Sequence, residues 1–176
     1  MKKVTLFIAI SVDGYLADRH GKVDWLAGHD PAADSMGSYR EFIREIDTVV
    51  LGWNTYHQIV TELSPGEWAY SGQTSYVVTH RQLPDTEKIR FVNQNVCELV
   101  RQLKRGDGRG IWICGGANVV QPLLRENLID RFHFTIIPTL LGSGIRLFGE
   151  TALPIPLRLI NSQSYNGMTD LIYEPR

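Results

Sequence analysis

The segment Ile111-Trp112-Ile113-Cys114-Gly115-Gly116-Ala117-Asn118-Val119-Val120 constrains this chain more than any other part of it. Its first four residues form an unbroken apolar run, as expected of a buried strand, and the run passes through small residues into a helical pattern. Such a strand-turn-helix unit belongs to α/β architecture. Glycines let backbone N–H groups come close to an anion, and the unpaired N–H groups at a helix start favour negative charge. The turn is therefore either a cradle for pyrophosphate or a tight corner. It lacks the Gly-x-Gly-x-x-Gly spacing of the dinucleotide fingerprint.

The same alternation recurs elsewhere. β-Branched and aromatic runs predict strands at Val4 to Ile10, Thr48 to Leu51, Thr74 to Thr79, Gly110 to Cys114, Arg131 to Ile137, Leu157 to Ser164 and Met168 to Glu174. Helical spacing joins Tyr39, Phe42, Ile43 and Ile46. It joins Val96, Leu99, Val100 and Leu103 behind an Asn95 cap, with Glu98 three residues on. A third helix takes in Val119, Val120, Leu123, Leu124 and Leu128, with Pro122 expected in a first turn because it lacks an N–H. Strands alternate with helices up to Leu128, and three strands with little helix between them follow. This order predicts a twisted, mostly parallel sheet with an antiparallel C-terminal edge and flanking helices. Asn166-Gly167 is the expected hairpin turn. Two irregular stretches remain: Thr61 to Gln73, with Trp68 and Tyr70 expected at the surface, and Pro138 to Pro156.

At 176 residues the chain suits a single domain, residues 1–176. A net charge of −1 with scattered Lys and Arg offers no footprint for nucleic acid. Met1-Lys2-Lys3 and the apolar run behind it look superficially like a signal peptide. The run is short, however, stops at Ser11-Val12-Asp13-Gly14 and lacks a small-residue cleavage site, so a first strand is expected instead. No other run has the length and apolarity of a bilayer span. Cys97 and Cys114 frame neither a disulfide scaffold nor a metal site, and His20, His29, His57, His80 and His133 lack ligand spacing. A cytoplasmic protein with no metal, nucleic-acid partner or membrane span is expected.

Two further segments resemble the first in layout. Asp47 to Tyr56 runs from a strand into a helix with its cap expected at Asn54 or Thr55, and Ser75 to Arg81 ends a strand in polar and basic groups. Ligands of open α/β sheets gather beyond the carboxyl ends of the strands, so three such ends together favour the phosphate cradle at Gly115-Gly116.

The ordered set Ser11-Val12-Asp13-Gly14-Tyr15, Asp24-Trp25, Leu51-Gly52-Trp53-Asn54-Thr55-Tyr56, Cys114-Gly115-Gly116-Ala117 and Leu141-Gly142-Ser143-Gly144 resembles the dihydrofolate reductase superfamily. Within it, the branch holding the reductase domain of riboflavin biosynthesis is most similar, over nearly the whole chain. The resemblance implies NADPH, with NADH also open, bound across the strand ends. Gly115, Gly116, Ala117, Asn118 and Val119 would line the pyrophosphate, with Gly115-Gly116 a candidate for the family's cis peptide. Gly52, Trp53, Asn54 and Thr55, with Thr79, His80 and Arg81, would surround the adenosine phosphates. Ala9, Leu16 and the loop from Asp13 to Trp25 would flank the nicotinamide and substrate.

The chain departs from that pattern at several positions. Relatives carry a basic residue directly after the glycine of the second segment, where this chain has Trp53; Arg81, beside His80, is the candidate replacement or else a solvated loop arginine. Val120 stands where dihydrofolate reductases place a tyrosine against the nicotinamide. Asp34 is the candidate for the carboxylate that holds substrate in the family, or a helix-capping acid. Asp13 is a second candidate near the substrate, or a turn former. Trp25 and Trp68 are candidates to cover a planar ring, or else serve the core or a subunit contact.

The resemblance implies an oxidoreductase that delivers hydride to a C=N or C=O carbon of a small heterocycle, a reduced pterin or a ribosylaminopyrimidine. The competing expectation is a non-catalytic nucleotide-binding module with the same fold. A homodimer is expected through the apolar segment around Leu140, Leu141, Ile145, Leu147 and Phe148.

Overall fold

The apolar runs fold into one eight-stranded sheet in a computed structural model that describes residues 1–151 and 153–176. In chain order the strands are β1 Lys3–Ser11, β2 Tyr15–Ala17, β3 Ile46–Gly52, β4 Thr74–Val78, β5 Ile89–Val92, β6 Gly110–Gly115, β7 Arg131–Ile137, β8 Ile145–Arg146, β9 Leu157–Tyr165 and β10 Met168–Pro175. The sheet order is β5-β4-β3-β6-β1-β7-β10-β9, parallel from β5 through β7 and antiparallel at β10 and β9, while β2 and β8 pair separately. The α-helices are α1 Tyr39–Phe42, α2 Trp53–Gln58, α3 Val96–Arg105 and α4 Ala117–Arg125. This is the mostly parallel sheet with an antiparallel edge that the alternation of patterns predicts.

A central parallel strand is covered on both faces, which explains the unbroken apolar run of β6. Ile111 and Ile113 enter the core with Val100, Val120 and Leu123 on one face; Trp112 joins Phe7, Phe42, Val49 and Leu51 on the other. The Asn95 side chain accepts from the N–H groups of Cys97 and Glu98, so α3 begins at the expected cap. Tyr165 pairs with Met168 across Asn166 (φ 47°) and Gly167 (φ 78°), the two left-handed residues of the expected tight hairpin turn.

Several elements differ from expectation. Ile46 opens β3 rather than closing a helix: α1 lasts four residues and tightens into a 3-10 turn at Ile43–Glu45. Its apolar spacing serves either element, and the sheet takes it. Pro122 sits inside α4 rather than in its first turn; the bond it cannot donate is offset by burial of Val119, Val120, Leu123 and Leu124 on the same helix. The cap of α2 is Gly52, not Asn54 or Thr55, and the helix continues as a π-helical stretch, Ile59–Leu63, into what reads as loop. Trp68 and Tyr70 are half-buried rather than exposed: Trp68 Nε1 donates to Ser75 Oγ at 3.1 Å, and Tyr70 packs edge-on to Trp112 with centroids 4.8 Å apart. Strands β2, β5 and β8 lie in segments too short to show a period. Leu147 is fully buried in the chain's own core, while Phe148 is exposed and packs edge-on to Phe134 at 5.7 Å. Among the described residues, no helix is long and apolar enough to cross a membrane and no group of three His, Cys, Asp or Glu is placed to hold a metal.

Candidate functional site

Parallel pairing brings the carboxyl ends of β1, β3, β4 and β6 to one edge of the sheet, and a cleft of about 1220 Å³ opens there. Gly52 closes β3 and Gly115-Gly116 closes β6, so the two turns meet. A methyl group on Gly52 would lie 3.3 Å from Val119 Cγ2, and one on Gly116 would lie 3.5 Å from Thr55 Oγ1. The Gly115–Gly116 peptide is cis. No side chain caps α4, which leaves the N–H groups of its first residues, Ala117 and Asn118, to the cleft that both residues line.

The loop after β4 supplies the charge. Thr79 Oγ1 accepts from Arg81 N at 3.1 Å, and this turn sets the Arg81 guanidinium 4.6 Å above the Trp53 ring. Trp53, which in sequence stands in place of a cation, is the platform on which a cation from another strand end rests. His80 Nδ1 and Asn93 Oδ1 are 2.8 Å apart, joining this loop to the end of β5 and adding Asn93 and Gln94 to the lining. These two were invisible in sequence because β5 itself, four residues long, gave no signal.

All fourteen positions that the resemblance assigns to the cofactor line this cleft: Ala9, Leu16, Gly52, Trp53, Asn54, Thr55, Thr79, His80, Arg81, Gly115, Gly116, Ala117, Asn118 and Val119. Val120 lies behind them, fully buried in the core. The three substrate-end candidates stand elsewhere. Asp34 is exposed, accepts from Met36 N at 3.0 Å and pairs with Arg40, and these contacts hold its carboxyl below the usual range. Asp13 accepts from Ser11 Oγ at 2.6 Å, Gly142 N at 2.7 Å and Leu141 N at 3.1 Å. Led by the Ser11 bond, these contacts lower its pKa to about 2, and they tie the end of β1 to the loop after β7. Trp25 donates from Nε1 to Lys22 O at 3.2 Å and stays off the cleft wall, which Val23 and Leu26 of the same loop form instead. Asp34 makes a local turn ahead of α1 rather than capping that helix, whose cap is Ser38, and Asp13 ties two loops rather than forming a turn alone.

Apart from Cys114, the rest of the cleft lining is marked by no motif. Its floor includes Phe7, Trp112, Tyr70 and Cys114, and one wall is the far end of the α2 segment with Ile59, Glu62 and Leu63. Tyr70 Oη lies 3.5 Å from Cys114 Sγ. Burial pushes the Cys114 thiol up to about 11 and raises the Tyr70 phenol as well, so both groups are neutral at physiological pH. A loop crosses the mouth: Gln58 Nε2 donates to Gly21 O at 2.9 Å, and Lys22 Nζ meets Glu62 Oε2 at 3.2 Å.

A mostly parallel sheet with an antiparallel edge, flanking helices and a cleft across the strand ends defines a dihydrofolate reductase-like protein. Within that class the chain belongs to the RibD C-terminal domain family, whose match runs over residues 2–172. It is 36% identical to the uncharacterized protein YwjB of Bacillus subtilis (strain 168), over 98% of this chain and 97% of that one. The crystal structure of a Shewanella sp. PV-4 protein named for riboflavin biosynthesis superposes with a TM-score of 0.83 at 28% identity, covering 100% of this chain and 99% of the other. Dihydrofolate reductase from Enterococcus faecalis, solved in complex with NADP(H) and RAB-propyl, shares the fold at a TM-score of 0.67 and 15% identity, covering 98% and 96% of the two chains.

Proposed function

We propose that this chain is an NAD(P)H-dependent reductase of a small heterocyclic substrate. The observation that carries the reading is the meeting of the Gly52 and Gly116 turns with the Arg81–Trp53 stack in one cleft. Glycines at both positions let the two turns approach closely, so that backbone N–H groups can gather as a cradle for phosphate, and a stacked guanidinium suits a further phosphate. The residues present therefore fit a nicotinamide dinucleotide, and a fold neighbour was solved with NADP(H). Ala117, Asn118 and Thr55 would hold the pyrophosphate, Arg81 the adenosine end, and Ala9 with Leu16 the nicotinamide. A bound reduced nicotinamide supplies hydride, which adds to the carbon of a C=N or C=O bond while a proton adds to the nitrogen or oxygen. The chain orients the two rings and limits water access, with the loop held by Gln58 across the mouth.

Neither Asp13 nor Asp34 reaches the cleft, and this favours as second reading a nucleotide-binding module without turnover. Titration with NADPH and NADH, followed by nicotinamide fluorescence, tests the first reading; failure of both to saturate would sink it. Loss of the nicotinamide absorbance with dihydrofolate or the ribosylaminopyrimidine then separates enzyme from binder.

A further inference from the structure

The two edges of the eight-stranded sheet are built differently. At β5, four residues long, the preceding loop covers the outer backbone: Thr86 Oγ1 accepts from Ile89 N at 3.1 Å, and Asp85 Oδ1 accepts from Phe91 N at 2.9 Å. At β9 the edge runs for nine residues, roughly 30 Å of extended chain. Every residue from Arg158 to Ser164 is exposed, so neither face of this stretch is packed. Arg176 Nε donates to Leu157 O at 3.2 Å; among the described residues, nothing beyond β10 bonds the backbone of Arg158 to Ser164.

The composition of β9 makes that exposure unusual. Open edges are normally blunted by charge or proline, because their free N–H and C=O groups pair with any strand they meet. Leu157-Arg158-Leu159-Ile160-Asn161-Ser162-Gln163-Ser164-Tyr165 holds no proline and a single charge, and Arg158 Nη2 already lies 3.9 Å from Glu174 Oε2 on β10. The bulge at Ile160 twists the strand without adding charge. Leu159 is 52% exposed and Ile160 44%, so apolar side chains stand uncovered beside the open edge.

We infer that β9 is the interface with a second copy of this chain, the two β9 strands pairing antiparallel about a two-fold axis near Asn161. The surface suffices. The chain exposes 9994 Å², whereas a compact chain of 19.9 kDa exposes about 8,700 Å², and a stable pair covers about 800 Å² on each partner. Symmetry selects the occupant. Pairing β9 head-to-tail with β5 would build an open filament, and the covered edge of β5 opposes it; β9 on β9 closes after two copies and leaves neither long edge open. With the axis at mid-strand the two Arg158 side chains stand about 20 Å apart, beyond the Debye length. The contact thus falls on β9 rather than on the segment around Leu140, whose Leu147 is buried in the chain's own core.

Light scattering is expected to return twice the chain mass at micromolar concentration. Ser162 is exposed, and Ser162→Lys sets like charges close to the axis, so it should raise the dimer dissociation constant by roughly tenfold or more while far-UV dichroism stays that of the wild type. Leu140→Lys should leave that constant unchanged. In the wild type, which needs no variant to fold, the outward amides between Asn161 and Ser164 should exchange more slowly in concentrated than in dilute solution. A monomer's mass up to high micromolar concentration, assemblies that grow beyond two copies, or β9 exchange that ignores concentration overturns the inference. So does a dimer that Ser162→Lys leaves intact or that Leu140→Lys dissociates as strongly.

Discussion

Arg81 reaches the cleft as a rigid cation because its planar guanidinium lies on the Trp53 ring 4.6 Å away, and a guanidinium held in this way loses little freedom on meeting phosphate. Arg81→Ala should weaken NADPH about tenfold, the scale of one charge-assisted contact, and leave NADH nearly unchanged. Trp53→Ala should give a smaller loss in the same direction, since the arginine survives without its platform. Fluorescence titration of both nucleotides measures the pair; equal losses for NADPH and NADH would move Arg81 away from the distinguishing phosphate. Side by side, these residues show what a single sequence reveals at this scale. A basic residue after a strand end was legible at Arg81, whereas its partner Trp53 read as a deficit, because stacking joins the start of α2 to the loop after β4. The carboxylates were harder still. Asp13 and Asp34 have site-like neighbours in sequence, yet their oxygens are occupied by nearby N–H groups, an arrangement set by loop backbone rather than by residue type.

The β9–β10 hairpin shows the same limit one scale up. Its turn was legible because Asn-Gly satisfies two left-handed positions, but the turn also clasps a distant loop. Asn166 Oδ1 accepts from Asp30 N at 2.8 Å, while Nδ2 donates to Asp30 O at 2.9 Å and to Ser35 Oγ at 2.8 Å. The backbone adds a bond from His29 N to Asn166 O. Four contacts thus anchor the stretch ahead of α1, which has little regular structure of its own. No pattern within either segment encodes a contact between residues so far apart in the chain. Asn166→Ala should cost about 1–2 kcal/mol through the lost side-chain bonds and the strained φ. Hydrogen exchange should speed up at His29 and Asp30 while the β6 amides keep their protection. Uniformly faster exchange would mean that the hairpin turn supports the whole sheet rather than this loop.

Across the whole molecule, a buried carboxylate is expected to contribute to stability in acid. Asp170 on β10 is 0% exposed and accepts from Ser38 Oγ at 2.5 Å, Thr135 Oγ1 at 2.6 Å, Tyr165 Oη at 3.0 Å and Gln163 Nε2 at 3.1 Å, joining β7, β9 and the start of α1. Burial acts to raise its pKa, but the His133 ring 3.7 Å away and the bonds from Ser38, Thr135 and Gln163 outweigh it and hold the carboxyl far below the ordinary range. Burial and the Asp170 charge push the Tyr165 phenol up to about 12, so this hydroxyl remains a donor. A group whose pKa is lower in the folded than in the unfolded chain stabilises fully above the unfolded value, about 3.9 for Asp. That contribution fades as pH falls toward the folded value, where protonation turns an acceptor for several donors into a competing one. Urea midpoints should therefore stay level from about pH 7 to 5 and decline below about pH 4. Asp170→Asn should be less stable at neutral pH by about 3 kcal/mol, since it loses the charge and one acceptor that the surrounding hydroxyls share. Its decline in acid should be the shallower of the two, because the amide has no proton to take up. If both proteins lose stability in parallel below pH 4, the acid response lies with the surface carboxylates, and the Asp170 network holds the fold without setting its pH dependence.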